Sequence, residues 1–248
     1  MSLRNFLKRH REDPRTTQSE DRRTQRHPEL RDAWLALETD YVDRALELAT
    51  QHTNSRDVEL AADAKKLVAL IQFRRGQYKT ALALFRDVVA VHDDAGNWFN
   101  VATAATLDGE IESGRTAFDR ALAAIERGNV ADGLSSPFIR QYYACALRDR
   151  SEFTRALEQI EALRSIYEQL KITDDTFVYI RGVPFLSHTM EVAVDVFHGL
   201  GDGFDWNQWI ESFARKLDDE GREYLNTVKQ RLINGTEQSD APKSPIGR

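Results

Sequence analysis

Histidine spacing is the first test for metal chemistry in this chain. The six histidines are His10, His27, His52, His92, His188 and His198. None forms a His-x-x-x-His or His-Glu-x-x-His pair, the spacings that place two imidazoles on one helical face around zinc. His188 with Glu191, and Asp195 with His198, lie one helical turn apart, which is also common on solvated helix faces. The pattern therefore predicts no bound metal.

The other groups that could do chemistry also lack suitable neighbours. Cys145 is the only cysteine and lies among aromatic and aliphatic residues of a helix, where a buried filler is expected rather than an exposed thiolate nucleophile. The glycines at 199, 201 and 203 lack the lysine of a phosphate-binding loop and do not follow a strand. The sequence therefore predicts no catalytic residue, no cofactor and no enzymatic activity; an enzyme on a helical scaffold is the weakest of three function classes.

Composition limits the fold and the location. The 248 residues are 41% hydrophobic and 30% charged, enough for one elongated array or one large domain, and glycine and proline are scarce, which favours helix. A single cysteine excludes a disulfide framework and a thiolate zinc cluster. No apolar run approaches the roughly 20 residues of a membrane span, and the basic N-terminus has no apolar core after it. A cytoplasmic protein without a membrane span is expected.

Residues 1–27 form a basic leader on an acidic body. They carry eight lysines and arginines against four aspartates and glutamates, a net charge of +4, whereas the whole chain has −6. A basic arm can contact nucleic acid, an anionic membrane or an acidic partner. The run from Arg11 to Glu20 has almost nothing to bury, so we expect a disordered, solvated leader and do not expect nucleic-acid binding.

A repeated turn organises the chain after this leader. Gly76 and Gly109 lie 33 residues apart, and each closes one amphipathic helix and opens a second. In both places a phenylalanine follows nine residues after the glycine, at Phe85 and Phe118. A helical pair repeated at this period is typical of a stacked array, which builds a surface that holds a partner.

The repeat allows a division of the chain. Helical pairs are predicted over residues 28–170, from about Pro28, Tyr41, Asp57, Tyr78, Trp98, Ile111, Ser136 and Phe153, with Ser136 as an N-cap and Ser151 in place of the third turn glycine. Residues 171–233 are predicted as C-terminal helices that cap the array: an extended bridge or frayed helix to 183, then helices over 184–199, 206–217 after an Asp205 cap, and 220–233. Residues 234–248 are predicted as a disordered tail.

The motif positions carry a family resemblance. They are Val68, Ala69, Gly76, Tyr78, Ala81 and Phe85 in one unit, Trp98, Gly109, Ile111, Phe118 and Ala121 in the next, and Tyr143, Ala144, Phe153, Ala156 and Ile160 in a third. In these residues the chain resembles the tetratricopeptide repeat (TPR) family over roughly residues 29–170. Gly114 departs from it, since alanine is usual there, and predicts a helix weaker by about 1 kcal/mol than one with alanine.

The resemblance implies an all-α fold, a right-handed superhelical array of antiparallel helix pairs, with a concave groove along the first helices. In the family's register the groove residues are Lys66, Leu70, Phe73, Arg74, Phe99, Asn100, Thr103, Gln141, Tyr142 and Arg148. The leading hypothesis is a non-catalytic scaffold or adaptor that binds a peptide or protein segment in this groove. The alternative is a helical regulatory module that senses a ligand or acts on nucleic acid through the basic leader.

Overall fold

Helix-favouring composition produces an all-α fold, as predicted. A computed structural model describes residues 27–130 and 134–239, with side chains to residue 234. These residues form twelve α-helices and two short 3-10 helices, and no strand lies among them. In chain order they are η1 (Pro28–Leu30), α1 (Arg31–Glu38), α2 (Val42–Thr50), α3 (Val58–Arg74), α4 (Tyr78–Val89), α5 (Ala95–Asp108), α6 (Ile111–Glu126), α7 (Ser136–Asp149), α8 (Phe153–Leu170), α9 (Asp175–Ile180), α10 (Leu186–Leu200), η2 (Gly201–Gly203), α11 (Trp206–Ala214) and α12 (Asp219–Ser239).

Capping side chains fix several helix starts. The Asp57 carboxylate accepts backbone N–H bonds at the start of α3. The Asp205 carboxylate does so for α11, as the sequence predicts. Asp94 caps α5, so that helix begins at Ala95 instead of the predicted Trp98. The cap of α7 is Ser135, one residue before the predicted one.

The bridge predicted after residue 171 contains a helix, α9, so the frayed-helix alternative is the better description of this segment. Asp174 caps α9 by accepting the N–H of Phe177 at 2.8 Å. The final helix, α12, continues to Ser239, past its predicted end at 233. Leu3, Phe6 and Leu7 share one side of a short helix that the sequence predicts over residues 3–10. This prediction and the predicted disorder of residues 1–26 and 240–248 concern residues outside those that the structure describes.

One turn geometry recurs along the first part of the chain. The residues that end α1, α3, α5 and α7 all adopt a left-handed backbone: Asp40 (φ 67°), Gly76 (75°), Gly109 (96°) and Ser151 (61°). In each turn the next residue donates its N–H to the carbonyl five residues back, at 2.8–2.9 Å. A Schellman motif has two such bonds, and this is the one that spans more residues. The motif provides donors for carbonyls that have no partner at a helix end. The two turn glycines and the Ser151 replacement therefore lie in the conformation that the repeat predicts.

The residue after each turn also repeats. Tyr41 has φ −81° and ψ 63°, Gln77 has −86° and 63°, and Glu110 has −81° and 64°. The next helix begins one residue later in all three places. In each of these three pairs, the same backbone path therefore joins the first helix to the second.

Ser151→Gly is expected to stabilise the protein by about 0.5–1 kcal/mol, because a non-glycine residue is strained in the left-handed region. Guanidinium unfolding followed by circular dichroism measures the change. Ser165→Gly, in the middle of α8, is the matched control and is expected to destabilise by about 1 kcal/mol. Destabilisation of similar size by both variants would contradict the left-handed assignment at Ser151.

Contacts divide the chain into two compact units, Met1–Glu152 (the first unit) and Phe153–Arg248 (the second unit). The predicted boundary at 170/171 falls inside the second unit, because α8 packs against α10 of that unit. In the first unit each helix packs against the next, and the first helices of neighbouring pairs also touch, α1 on α3 and α5 on α7.

Two close contacts between neighbouring helices mark the interior of the first unit. The buried rings of Phe118 on α6 and Tyr143 on α7 stack with their centroids 4.2 Å apart. The backbone of α6 comes close to α5 at Gly114, where an added Cβ would lie 2.2 Å from the Thr106 Oγ1. The Thr106 hydroxyl is buried and has no hydrogen-bond partner in the described part of the chain.

The second unit is held by buried polar contacts as well as by its apolar core. The Tyr167 hydroxyl on α8 donates to the carbonyl of Pro184 at 2.6 Å and lies 3.0 Å from the Thr189 hydroxyl on α10. The Asp218 carboxylate accepts bonds from the Thr173 N–H and hydroxyl and from the Gly221 N–H. Burial opposes ionisation of Asp218, but these bonds outweigh it and hold the pKa of its carboxyl below the ordinary value. The segment before α10 is thus tied to α8, and the segment before α12 is tied to the one before α9.

Candidate binding surface

The ten predicted groove residues lie on three helices of the first unit. Four are on α3, three on α5 and three on α7. Burial separates them into two groups. The half-buried group is Lys66, Leu70, Phe73, Arg74, Phe99 and Asn100, and the buried group is Thr103, Gln141, Tyr142 and Arg148. The groups therefore have different access to a partner.

The buried group lies on α5 and α7, two helices that pack against each other. Gln141 is 1% exposed, and the ring of Tyr142 lies 5.7 Å from that of Phe99. Arg148 is 8% exposed, and its guanidinium pairs with the adjacent Asp149 at 2.7 Å. The Thr103 hydroxyl donates back to α5 carbonyls within its own helix. Because they are buried, these side chains offer little surface to a partner.

Three of the half-buried residues on α3 also have structural contacts. The Arg74 guanidinium donates to the carbonyl of Leu37, at the end of α1, at 3.0 Å. The ring of Phe73 packs edge-on against Tyr78 at the start of α4, with centroids 5.3 Å apart. Leu70 packs against the apolar cluster between α1 and α3. Arg74 thus supports the end of α1, and the surface open to a partner is narrower than predicted.

We name the remaining part the first-helix surface: Lys66, Leu70, Phe73, Phe99 and Asn100. Each of these side chains is partly exposed, and the set combines one cation, one amide and three apolar groups. Leu70 and Phe99 keep exposed area while packing on buried neighbours, Phe99 on Tyr142. Anchoring of this kind fixes the side-chain positions before a partner arrives, which lowers the entropy cost of binding.

The structure also assembles a group that sequence reasoning missed, the histidine cluster of His27, Glu59, Asp63 and His92. The His27 Nε2 lies 3.5 Å from Asp63 Oδ2, and the His92 Nε2 lies 3.8 Å from Asp63 Oδ1 and 3.4 Å from Glu59 Oε2. Both Nε2 atoms are buried and have no hydrogen-bond partner in the described residues. Two imidazoles from distant parts of the sequence therefore share the carboxylates of α3.

The sequence pattern indicated only that the two carboxylates of this cluster lie close together. Glu59 and Asp63 lie four residues apart, so they share one face of α3. The histidines had no sequence signal, because His92 follows α4 and His27 was assigned to the basic leader. The structure corrects the second assignment, since His27 is 9% exposed and directly precedes η1. Only the fold brings His27 and His92 to the carboxylates of α3.

Other chemistry is limited within the described residues. Over residues 27–130 and 134–239, no three histidine, cysteine or carboxylate side chains are placed to hold a metal ion. Cys145 is buried with 1% exposure, as predicted. None of the helices in that part of the chain is both long and apolar enough to cross a membrane.

No protein-family model, curated protein or solved structure matches the chain. The function is therefore inferred from the geometry of the first unit.

Proposed function

We propose that the first unit is a non-catalytic binding scaffold, similar to a tetratricopeptide repeat protein. Its helical pairs form a right-handed superhelical array, and the first helices of the pairs hold a peptide or protein segment. The observation that carries the proposal is the turn repeated at Asp40, Gly76 and Gly109. Equal turns give the three pairs the same internal geometry, and stacked pairs of one geometry present their first helices on a common side.

The first-helix surface defines the chemistry of the partner. Leu70, Phe73 and Phe99 offer partly exposed apolar area, which suits one or two apolar anchor side chains. Lys66 adds a positive charge, and Asn100 can donate to or accept from a peptide backbone. An extended or helical peptide with an apolar and an acidic residue fits this set best.

The double variant Lys66→Ala/Phe99→Ala is expected to weaken peptide binding by roughly tenfold or more, since it removes the charge and one apolar contact. The peptides are selected from a displayed library of random twelve-residue sequences, and affinity is measured by calorimetry with the purified full chain. Arg74 is left intact, because its bond to Leu37 would make a loss of folding resemble a loss of binding.

The matched control is Lys79→Ala/Tyr41→Ala, which removes an exposed lysine and an exposed aromatic ring next to the turns of the same unit. It is expected to bind the selected peptides within about twofold of the unmodified chain. Equal weakening by both double variants, or failure of the library to yield any binder, would rule out the first-helix surface as a peptide site.

A further inference from the structure

The segment between α8 and α10 is packed more lightly than the rest of the second unit. It contains α9, a helix of six residues in which only Val178 is buried. The extensive helix contacts in the described part of the second unit join α8 to α10, α10 to α12 and α11 to α12, and α9 takes part in none of them. Helices of this length are not stable without tertiary contacts. The position of α9 therefore depends on how the ends of the segment are held.

A left-handed backbone residue lies at each end of the segment. Lys171, which follows α8, has φ 57°, and Gly182, which lies two residues after α9, has φ 71°. Beyond Gly182 the chain is held to α8, because the buried hydroxyl of Tyr167 donates to the carbonyl of Pro184 at 2.6 Å. When a segment moves, a few residues in loops or at helix ends absorb the change in backbone angles. Lys171 and Gly182 are therefore the two hinge positions, and residues 172–181 lie between them.

Hydrogen bonds fix the start of this segment to α12. The Asp218 carboxylate, which precedes α12, accepts the N–H of Thr173 at 2.9 Å and its hydroxyl at 2.6 Å. Thr173 is 4% exposed, and a Cβ added at Gly221 would lie 2.8 Å from its side chain, so the segment lies directly against the first turn of α12. Asp218 also accepts the N–H of Gly221 at 3.0 Å. Separation of the segment from α12 therefore breaks two hydrogen bonds and leaves the cap of α12 in place.

We propose that residues 172–181, the α9 strap, open as one unit about the two hinge positions while the other helices of the second unit stay folded. Opening takes Thr173 away from Asp218 and brings Val178 to solvent. The Asp218 carboxylate is then open to donors of another molecule, so the strap controls access to the start of α12. This device lies in the second unit and does not depend on peptide binding at the first-helix surface.

Native-state amide exchange of the full chain, measured over a range of low guanidinium concentrations, tests the opening. The strap amides to follow are those of Thr173, Val178 and Arg181, each of which donates a hydrogen bond in the closed strap. They are expected to share one protection factor, roughly 100-fold or more below that of the α8 and α10 amides and insensitive to denaturant. Fraying of single turns would instead give unequal values along the strap.

Thr173→Val tests the bond to Asp218, since valine keeps the size of the side chain and removes the hydroxyl donor. Exchange of the strap amides is expected to become faster by roughly tenfold or more, because a hydrogen bond to a charged group is lost. Asp205→Ala is the matched control, since it removes the carboxylate that caps α11 by accepting the N–H of Gln208 at 2.8 Å. It should speed exchange in α8 and α10 but leave strap exchange within about twofold, because α11 is folded in both states of the strap.

A reversible crosslink gives a second measurement. In Thr173→Cys/Gly221→Cys the two new side chains are within reach of a disulfide, given the close approach of an added Cβ at Gly221 to the Thr173 side chain. Oxidation is expected to slow exchange of the Val178 and Arg181 amides by roughly tenfold or more, and reduction should restore it. Both forms are measured on one protein, so the comparison does not depend on the stability of the variant.

Three results would overturn the strap. One is strap exchange that Asp205→Ala speeds as much as exchange in α8 and α10, which would mean that the segment opens only when the whole unit unfolds. The second is a set of widely different protection factors for Thr173, Val178 and Arg181, which would mean local fraying. The third is equal exchange in the oxidised and reduced forms of the crosslinked variant.

Discussion

Gly114→Ala is expected to destabilise the first unit by about 1–3 kcal/mol, although alanine is the better helix former by about 1 kcal/mol. The added Cβ would lie 2.2 Å from the Thr106 Oγ1 and 3.1 Å from two backbone atoms of α5, the Ala102 carbonyl oxygen and the Thr106 nitrogen. Thr106 is fully buried, so neither its side chain nor the α5 backbone can move away freely. Helices α5 and α6 would have to separate.

Thr106→Ala provides the test of this mechanism. Its hydroxyl has no hydrogen-bond partner in the described residues, so deleting it removes an unsatisfied polar group along with a little packing. In the Thr106→Ala background the cost of Gly114→Ala should fall to less than half, because the nearest clash has gone. Unfolding in guanidinium and hydrogen exchange over α5 and α6 measure all four proteins of the cycle. Equal costs in both backgrounds, or a gain in stability from Gly114→Ala alone, would contradict the close-approach explanation.

Tyr167→Phe is expected to destabilise the second unit by about 1–3 kcal/mol at pH 8, since it removes a buried donor. The Tyr167 ring is fully buried, and its hydroxyl donates to the Pro184 carbonyl at 2.6 Å. Without this donor the carbonyl of a buried proline loses its bond to α8. Guanidinium unfolding measures the loss, with Tyr41→Phe as a control on a 70% exposed ring, where a change below about 0.5 kcal/mol is expected.

Tyr167 also makes the stability of the second unit depend on pH above about pH 10. Burial disfavours the phenolate and raises the pKa of Tyr167, although the Thr189 hydrogen bond partly offsets this. The unfolded chain ionises near pH 10 while the folded one keeps the proton, so the stabilisation is complete below pH 10 and is lost as pH rises. The stability gap between the unmodified chain and Tyr167→Phe should therefore shrink by about 1.4 kcal/mol between pH 8 and pH 11. A constant gap would show that Tyr167 ionises equally in both states.

The local features of the fold were predictable because they depend on neighbouring residues. Gly76 and Gly109 mark their turns through the backbone freedom of glycine, and both have a positive φ. Asp205 marks a helix start through its capping carboxylate, which accepts the expected N–H bond. Ser151 was predicted to take the place of the third turn glycine, and it also has a positive φ.

Features that depend on distances between helices were not predictable. Gly114 was interpreted as a weak point of its helix, whereas the nearness of Thr106 gives it a packing role. Tyr142 and Arg148 were assigned to an open groove, but both are buried, Tyr142 against the ring of Phe99. His27 looked like part of a polar leader, and only the fold brings it to Asp63. Helical register indicates the side on which a residue lies and does not give the separation of the helices on that side.

The residues that follow the Gly76 and Gly109 turns have nearly equal backbone dihedral angles. This equality has a consequence for how such a chain can change in length. Gln77 and Glu110 differ by 5° in φ and 1° in ψ, and the 33 residues from 78 to 110 lie between one joint and the next. In a tandem copy of residues 78–110, Glu110 would be followed by Tyr78. The backbone at this junction would match that of the existing junction between Gln77 and Tyr78. Recombination between the gene segments that encode these two junctions can therefore add or remove two helices, which is the content of one helical pair. No new turn has to arise first.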